Sequence, residues 1–341
     1  MEFEVNFING SINLAGTLTI PNRDAEKLPA FIFVHGSGPN DRDENPDLSL
    51  MSPKDKEKLV QTLKSFNLDV SQYKLNVFNA MSDYFVREGF ATLRYDKRGI
   101  GKSEGEYKTA GFKDFISDAH AAIKFLRSRT EVDPSKIIVL GHSEGGIIGP
   151  VLCVEDPTIA ALVICAGTSQ KLDDIMIQQA KFAKEMIKRL TQKQKEKLGI
   201  INTPDPVEIV EQLIEKVKRG DEYVEIEGHR VYAKWYREHF AHDPLETIKK
   251  VRCPLLIVQG EKDFQVPFNN ALTLRDALEN SGNSNVRLLL FPNIDHLLKF
   301  EPGQSNQLSY INKMNRKVEP LILKSISSWV ESVLVKNEKI Y

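Results

Sequence analysis

Cysteine is scarce in this chain: Cys153, Cys165 and Cys253 are the three among 341 residues. The number is odd, each lies in or beside an apolar run, and no CxxC or Cys/His spacing accompanies them. That argues against a disulfide framework or a cysteine-rich zinc site and for buried free thiols. Long apolar runs are missing too. None approaches the roughly 18 residues needed to cross a bilayer, so no membrane span is expected. Met1-Glu2-Phe3-Glu4-Val5 has no basic start followed by an apolar stretch, so no signal peptide is visible. The cytoplasm is the default expectation, to be replaced by periplasm or exterior if an export signal has been removed. An excess of charge is the third absence. A formal net charge of −1 gives neither nucleic acid nor an anionic membrane a field to follow. The run from Lys193 to Lys197 alternates lysines with polar and acidic residues, as a solvated helix face does.

What is present is ordinary globular usage, 41% apolar and 27% charged, enough for one large α/β domain with insertions or two smaller domains. The first twenty residues alternate about Asn9-Gly10, a dipeptide favouring a type I′ turn, with Val5, Phe7, Leu14 and Leu18 apolar; this predicts an antiparallel hairpin. Short apolar runs at 30–34, 90–95, 137–140, 159–165, 254–259 and 286–291 predict strands. Helical spacing predicts helices at 74–88, 112–129, 147–154, 268–279 and 316–335. Strands alternating with helices specify a mostly parallel central sheet covered on both faces. Residues 40–73 are polar and turn-rich, with weak helix signals. From Ser169 to about Lys250 the alternation stops, leaving helices and little strand pattern. One helix there has Asp205 as N-cap, Pro206 in its first turn, Glu208 near the third position and Gly220 just past its end. The expected organisation is an α/β core of 1–168 and 251–341, with a helical cap inserted at 169–250.

Gly141-His142-Ser143-Glu144-Gly145 fits G-x-S-x-G. The pattern alone is weak, but here it follows a buried strand and opens an apolar helix, the setting in which a serine is presented on a strained turn. A serine hydroxyl needs a base, most often histidine. Of seven histidines, His142 reads as a packing or hydrogen-bonding residue inside the turn and His120 lies mid-helix upstream. His229, His239 and His242 fall in the insertion and read as surface residues. His296 follows the strand at 286–291, at the sheet edge where such folds place their sites, and completes the order Ser, acid, His. The acid is expected after the strand at 254–259, with Asp263 preferred to Glu261. Asp295, next to His296, reads as a loop-anchoring carboxylate. Oxyanion donors are expected from the backbone N–H of Glu144 and from His35-Gly36-Ser37-Gly38, with Ser37 N–H preferred and Gly38 as the alternative. Gly99-x-Gly101 lacks the rest of a nucleotide fingerprint and reads as a structural turn. His239 and His242 do not make an H-E-x-x-H pair, and no zinc is assigned.

With the nucleophile motif, the acid loop and the histidine loop in this order, the chain resembles the α/β-hydrolases across nearly its whole length. His35-Gly36-Ser37-Gly38-Pro39-Asn40-Asp41-Arg42-Asp43, Tyr95-Asp96-Lys97-Arg98-Gly99 and Gly141-His142-Ser143-Glu144-Gly145-Gly146 resemble a group of bacterial carboxylesterases related to the dienelactone-hydrolase and acyl-CoA-thioesterase-like branches. The resemblance implies a Ser143, Asp263, His296 triad, no metal or organic cofactor, and a helical cap over the site. The 40–73 stretch is longer than in compact members.

The function expected is hydrolysis of small or medium-chain carboxylic esters through an acyl-enzyme. A peptidase, aminopeptidase or acyl thioesterase on the same triad is the alternative, and a hydrolase-like receptor without catalysis is the third reading. The partner expected is a small-molecule ester. Within the cap, Met176, Met186, Trp235, Tyr236 and Phe240 read as helix packing faces, with the further hypothesis that they line an apolar acyl pocket.

Overall fold

The computed structural model of the chain describes residues 1–22, 27–197, 200, 203–226, 228–311 and 316–338. Strands β1 (Glu2–Asn9) and β2 (Ile12–Thr19) form the N-terminal hairpin. Its turn is Gly10-Ser11, with Gly10 alone at positive φ, 61°. That is the type II′ pattern rather than the type I′ suggested by Asn9-Gly10. The chain continues through β3 (Leu28–Val34), α1 (Pro53–Ser65), α2 (Val77–Arg87), β4 (Ala91–Tyr95), α3 (Phe112–Arg127), β5 (Val132–His142), α4 (Gly145–Glu155) and β6 (Ala161–Cys165). Then come α5 (Leu172–Arg189), α6 (Gln192–Lys197), α7 (Pro206–Lys218), β7 (Tyr223–Ile226), β8 (His229–Tyr232), α8 (Lys234–Ala241) and α9 (Pro244–Ile248). Last are β9 (Leu255–Gly260), α10 (Asn269–Asn280), β10 (Val286–Phe291), α11 (Gln307–Ile311) and α12 (Pro320–Glu338).

Eight strands form one sheet in the order β1-β2-β4-β3-β5-β6-β9-β10. The β1–β2 and β2–β4 pairings are antiparallel, and the pairings from β4 to β10 are parallel. Side chains on a strand alternate between faces, so an apolar run supplies two cores at once. Along β3, Ala30, Ile32 and Val34 join the core that contains α3, α4 and α10, while Phe31 and Phe33 join the one that contains α2 and α12. Ile137 and Val139 on β5 divide from Ile138 and Leu140 in the same way. Parallel crossovers bring β3, β4, β5, β6, β9 and β10 to the same edge of the eight-stranded sheet, so the loops after β3, β5, β9 and β10 meet there.

Two expectations need correction. Residues 40–73 contain a thirteen-residue helix, α1. Lys54 to Lys58 are all charged, and the helix rests on buried Leu63, which packs with Ile311, Leu59 and Phe66; so narrow an apolar stripe leaves little periodicity to read. Between β6 and β9, β7 and β8 form a separate antiparallel hairpin within the stretch read as helical. Val224 opposite Val231 places its one buried apolar position against α7.

Candidate functional site

At the end of β5 the chain turns sharply, and Ser143 sits in the left-handed region with φ 53°, a conformation costly for a non-glycine residue. The turn is fixed from both sides: Ser143 N–H donates to Cys165 O at 2.9 Å, and Gly146 N–H donates to Ser143 O at 2.9 Å. A side chain at Gly145 has no room, since its Cβ would stand 2.0 Å from Val34 O. The loop after β3 closes on the turn: a Cβ on Gly36 would stand 3.1 Å from that of Ser143. Ser143 itself remains partly exposed.

His296 and Asp263 meet across the loops after β10 and β9. His296 Nδ1 lies 2.7 Å from Asp263 Oδ2, with both residues buried. The other oxygen, Asp263 Oδ1, accepts the N–H groups of Gln265 and Val266 at 2.9 Å, and Gln259 Nε2 donates to Oδ2 at 3.0 Å. The carboxylate is therefore aimed by its own loop. Glu261 is exposed. Asp295 Oδ1 accepts from Leu297 N–H and Lys299 N–H at 3.0 Å each, the loop-anchoring role expected of it. His142 ties this loop to the serine: its Nε2 lies 2.8 Å from His296 O, and the two rings are 4.9 Å apart.

Three buried charged side chains, those of Glu44, Lys97 and Glu144, organise the loops around these groups, although only the backbone of Glu144 was expected at the site. Glu44 Oε1 accepts Gly36 N–H at 2.8 Å and faces His142 Nδ1 at 2.8 Å. Lys97 Nζ donates to Gly36 O at 2.7 Å, to Gly38 O at 3.1 Å and to Glu144 Oε2 at 3.2 Å. Glu144 Oε1 accepts from Trp235 Nε1 at 2.7 Å and faces His239 Nε2 at 2.8 Å. Burial alone would keep Glu144 neutral, but Lys97, His239 and Trp235 together hold its pKa down to about 2. His239 is thus a buried residue of the site region, not the surface residue its position suggested. Apart from Glu44 and Gly36, which are eight residues apart, the partners lie 47 to 98 residues apart, so local spacing has little to reveal.

Asp96 explains the Gly99-x-Gly101 turn. Its oxygens accept from Lys102 N–H and from Arg42 of the β3 loop, so the segment braces that loop. His120 pairs with Glu155 at 2.7 Å away from the serine, and burial beside His239 pushes the pKa of His242 down to about 4. The side chain of His229 lies outside the described residues. Met176, Tyr236 and Phe240 pack with Leu213, Val217 and Val224 in the insertion's own small core, as packing faces, while Trp235 reaches Glu144. Among the described residues no helix is long and apolar enough to cross a membrane.

The strand order, with its strained turn after the central β5, defines the class: this is an α/β-hydrolase. The sequence model of serine aminopeptidases, S33, matches residues 74–303, and the chain belongs to that family. It is similar to esterase EstD of Thermotoga maritima, 27% identical over 325 residues, a match covering 95% of this chain and 66% of EstD. The chain therefore spans just under two thirds of that relative. Est1E from Butyrivibrio proteoclasticus, solved with ferulic acid bound, has a TM-score of 0.58 at 17% identity, covering 97% of this chain and 99% of that one. GrgF, an α/β-hydrolase from Penicillium sp. sh18, has a TM-score of 0.60 at 15% identity, covering 98% and 99%. Both share the fold with this chain.

Proposed function

We propose that the chain is a serine carboxylesterase, hydrolysing small or medium-chain carboxylic esters through an acyl-enzyme. The observation that carries this is the 2.7 Å contact between His296 and Asp263, joined through His142 to the strained turn that bears Ser143. Similarity to an esterase over 95% of the chain supports it.

In this reading Ser143 Oγ attacks the ester carbonyl carbon while His296 Nε2 takes its proton. Asp263 holds the tautomer with Nδ1–H facing the carboxylate and stabilises the imidazolium. The carbonyl oxygen becomes an oxyanion that accepts from Ser37 N–H and Glu144 N–H. Among the described residues neither N–H has a protein acceptor, and Glu144 stands at the N-terminus of α4, where amides are free and the dipole favours negative charge. Collapse of the intermediate breaks the bond to the alkoxide, which leaves with the proton from His296. Water, deprotonated by the same imidazole, then releases the acid and restores Ser143. Residues 169–250 act as a cap whose helix α8 docks on the site through Trp235 and His239.

Membership of the serine aminopeptidase family favours amide cleavage as the second reading. That reaction calls for a free carboxylate to hold the substrate amine, and Glu144, which follows the nucleophile, is already held by Lys97, Trp235 and His239. Turnover of chromogenic esters, thioesters and amino-acid amides by wild type and Ser143→Ala tests the proposal. Ser143-dependent turnover of esters above the other classes is expected. Preference for amides would favour the peptidase, and absence of Ser143-dependent turnover throughout would remove the catalytic reading.

A further inference from the structure

Glu144 serves the serine hydrolase reading through its backbone, yet both oxygens of its side chain are engaged as well. One oxygen faces Lys97; the other faces Trp235 and His239 on α8. Lys97 in turn grips the β3 loop by the carbonyls of Gly36 and Gly38. The peptide unit gives this grip a consequence. Gly36 C=O and Ser37 N–H belong to one planar trans peptide and point in opposite directions. Holding Gly36 O on the ammonium therefore aims Ser37 N–H away from Lys97. Asn40 Nδ2 adds a second, longer bond to Gly36 O at 3.2 Å and also holds Ser37 O, which shares a peptide with Gly38 N–H, at 3.0 Å, so the ammonium is the charged and closer of the two donors on Gly36 O. Lys97 is itself buried, with its ammonium 4.7 Å from the Phe115 ring centre, and a buried ammonium needs a counter-charge to stay in place. Glu144 supplies it.

We propose that Lys97 and the Glu144 carboxylate are positioning residues that couple the cap to the oxyanion hole: α8, docked through Trp235 and His239, holds the Glu144 carboxylate, which holds the ammonium that orients the Ser37 amide. This rests on the serine esterase reading. Docking of the cap then sets the rate of acyl transfer even for a substrate whose acyl group is too small to need a pocket. His239 packs 3.9 Å, centre to centre, from Phe112 at the start of α3, so α8 is seated against the core on the side from which it grips Glu144.

The test uses the full chain with 4-nitrophenyl acetate and a trifluoromethyl ketone, which adds to the serine as a hemiketal and presents an oxyanion. Active sites are first counted by fluorophosphonate titration, so that loss of folded protein is separated from loss of rate. Lys97→Met and Glu144→Gln are each expected to lower kcat per titrated site by about 30-fold, with KM within about threefold, because an oriented oxyanion donor contributes on the order of 100-fold. The Ki of the ketone should rise by the same factor. Trp235→Phe, which removes the indole N–H and keeps the apolar bulk, is expected to lower kcat about fivefold, the smaller effect of a slight misplacement. Should Lys97→Met not fold, Lys97→Arg and Glu144→Gln carry the same comparison, with Lys97→Arg retaining most of the rate. Unchanged kcat per titrated site in Glu144→Gln, or a rise in KM alone, would overturn the coupling. Failure of wild type to react with the fluorophosphonate would instead remove the esterase reading beneath it.

Discussion

His142 Nδ1 and Glu44 Oε1 stand 2.8 Å apart, a second imidazole–carboxylate pair one residue from the proposed nucleophile. His142 Nε2 faces the carbonyl of His296 and Nδ1 faces a carboxylate oxygen that already accepts Gly36 N–H, so both ring nitrogens face acceptors. That arrangement calls for an imidazolium. Burial opposes the charge, but Glu44 outweighs it and raises the pKa from 6.5 to about 9.

The pair therefore carries a pH signature in stability. A histidine whose pKa is raised on folding stabilises fully below its unfolded value, here about 6.5, and its contribution falls as pH rises, gone above about 9. Wild type is expected to lose stability across that window relative to His142→Gln, measured as urea midpoints between pH 6 and 10. Parallel curves for the two proteins would contradict the charged pair.

Asp263→Asn isolates the tautomer. The new amide N–H₂ faces His296 Nδ1, which then accepts, leaving the proton on Nε2 where Ser143 needs an acceptor. A fall in kcat of about 10⁴-fold with the fold intact is expected from such a change. Ester turnover and circular dichroism on the same sample check both halves.

Gly145→Ala tests the turn. Its Cβ would meet Val34 O at 2.0 Å, so β3 and α4 must separate. A loss of about 2 kcal/mol or more in urea unfolding is expected for such overpacking, together with loss of ester turnover. Gly220→Ala is the contrast: a Cβ there meets nothing within 4 Å, and its strain comes from a φ of 101° alone.

The core and the ends of its strands were legible because each signal is local. The run Ile137 to Leu140 leading into Gly141-His142-Ser143 announces a buried strand and a turn within seven residues, and the run Val286 to Phe291 before His296 does the same. Helix α7 was legible through Asp205 and Pro206, and the Asp205 side chain does accept from Val207 N–H. Helix α1 was not, because Leu63 is its one fully buried anchor among charged neighbours. The β7–β8 hairpin was hidden in a similar way, although Val224 and Ile226 alternating before Gly228 with Val231 beyond it are the signal that was available. Glu44, Lys97 and His239 were invisible for a different reason. A buried charge is explained by its partner, and these partners come from other loops.

The central claim is that Ser143 is the activated nucleophile, and covalent labelling tests it most directly. Wild type and Ser143→Ala are treated with a fluorophosphonate, digested, and mapped by mass spectrometry alongside ester turnover. The expected result is one adduct, on the peptide containing Ser143, with stoichiometric loss of turnover, and neither labelling nor turnover in Ser143→Ala. An adduct at another residue, or wild-type turnover retained by Ser143→Ala, would contradict it.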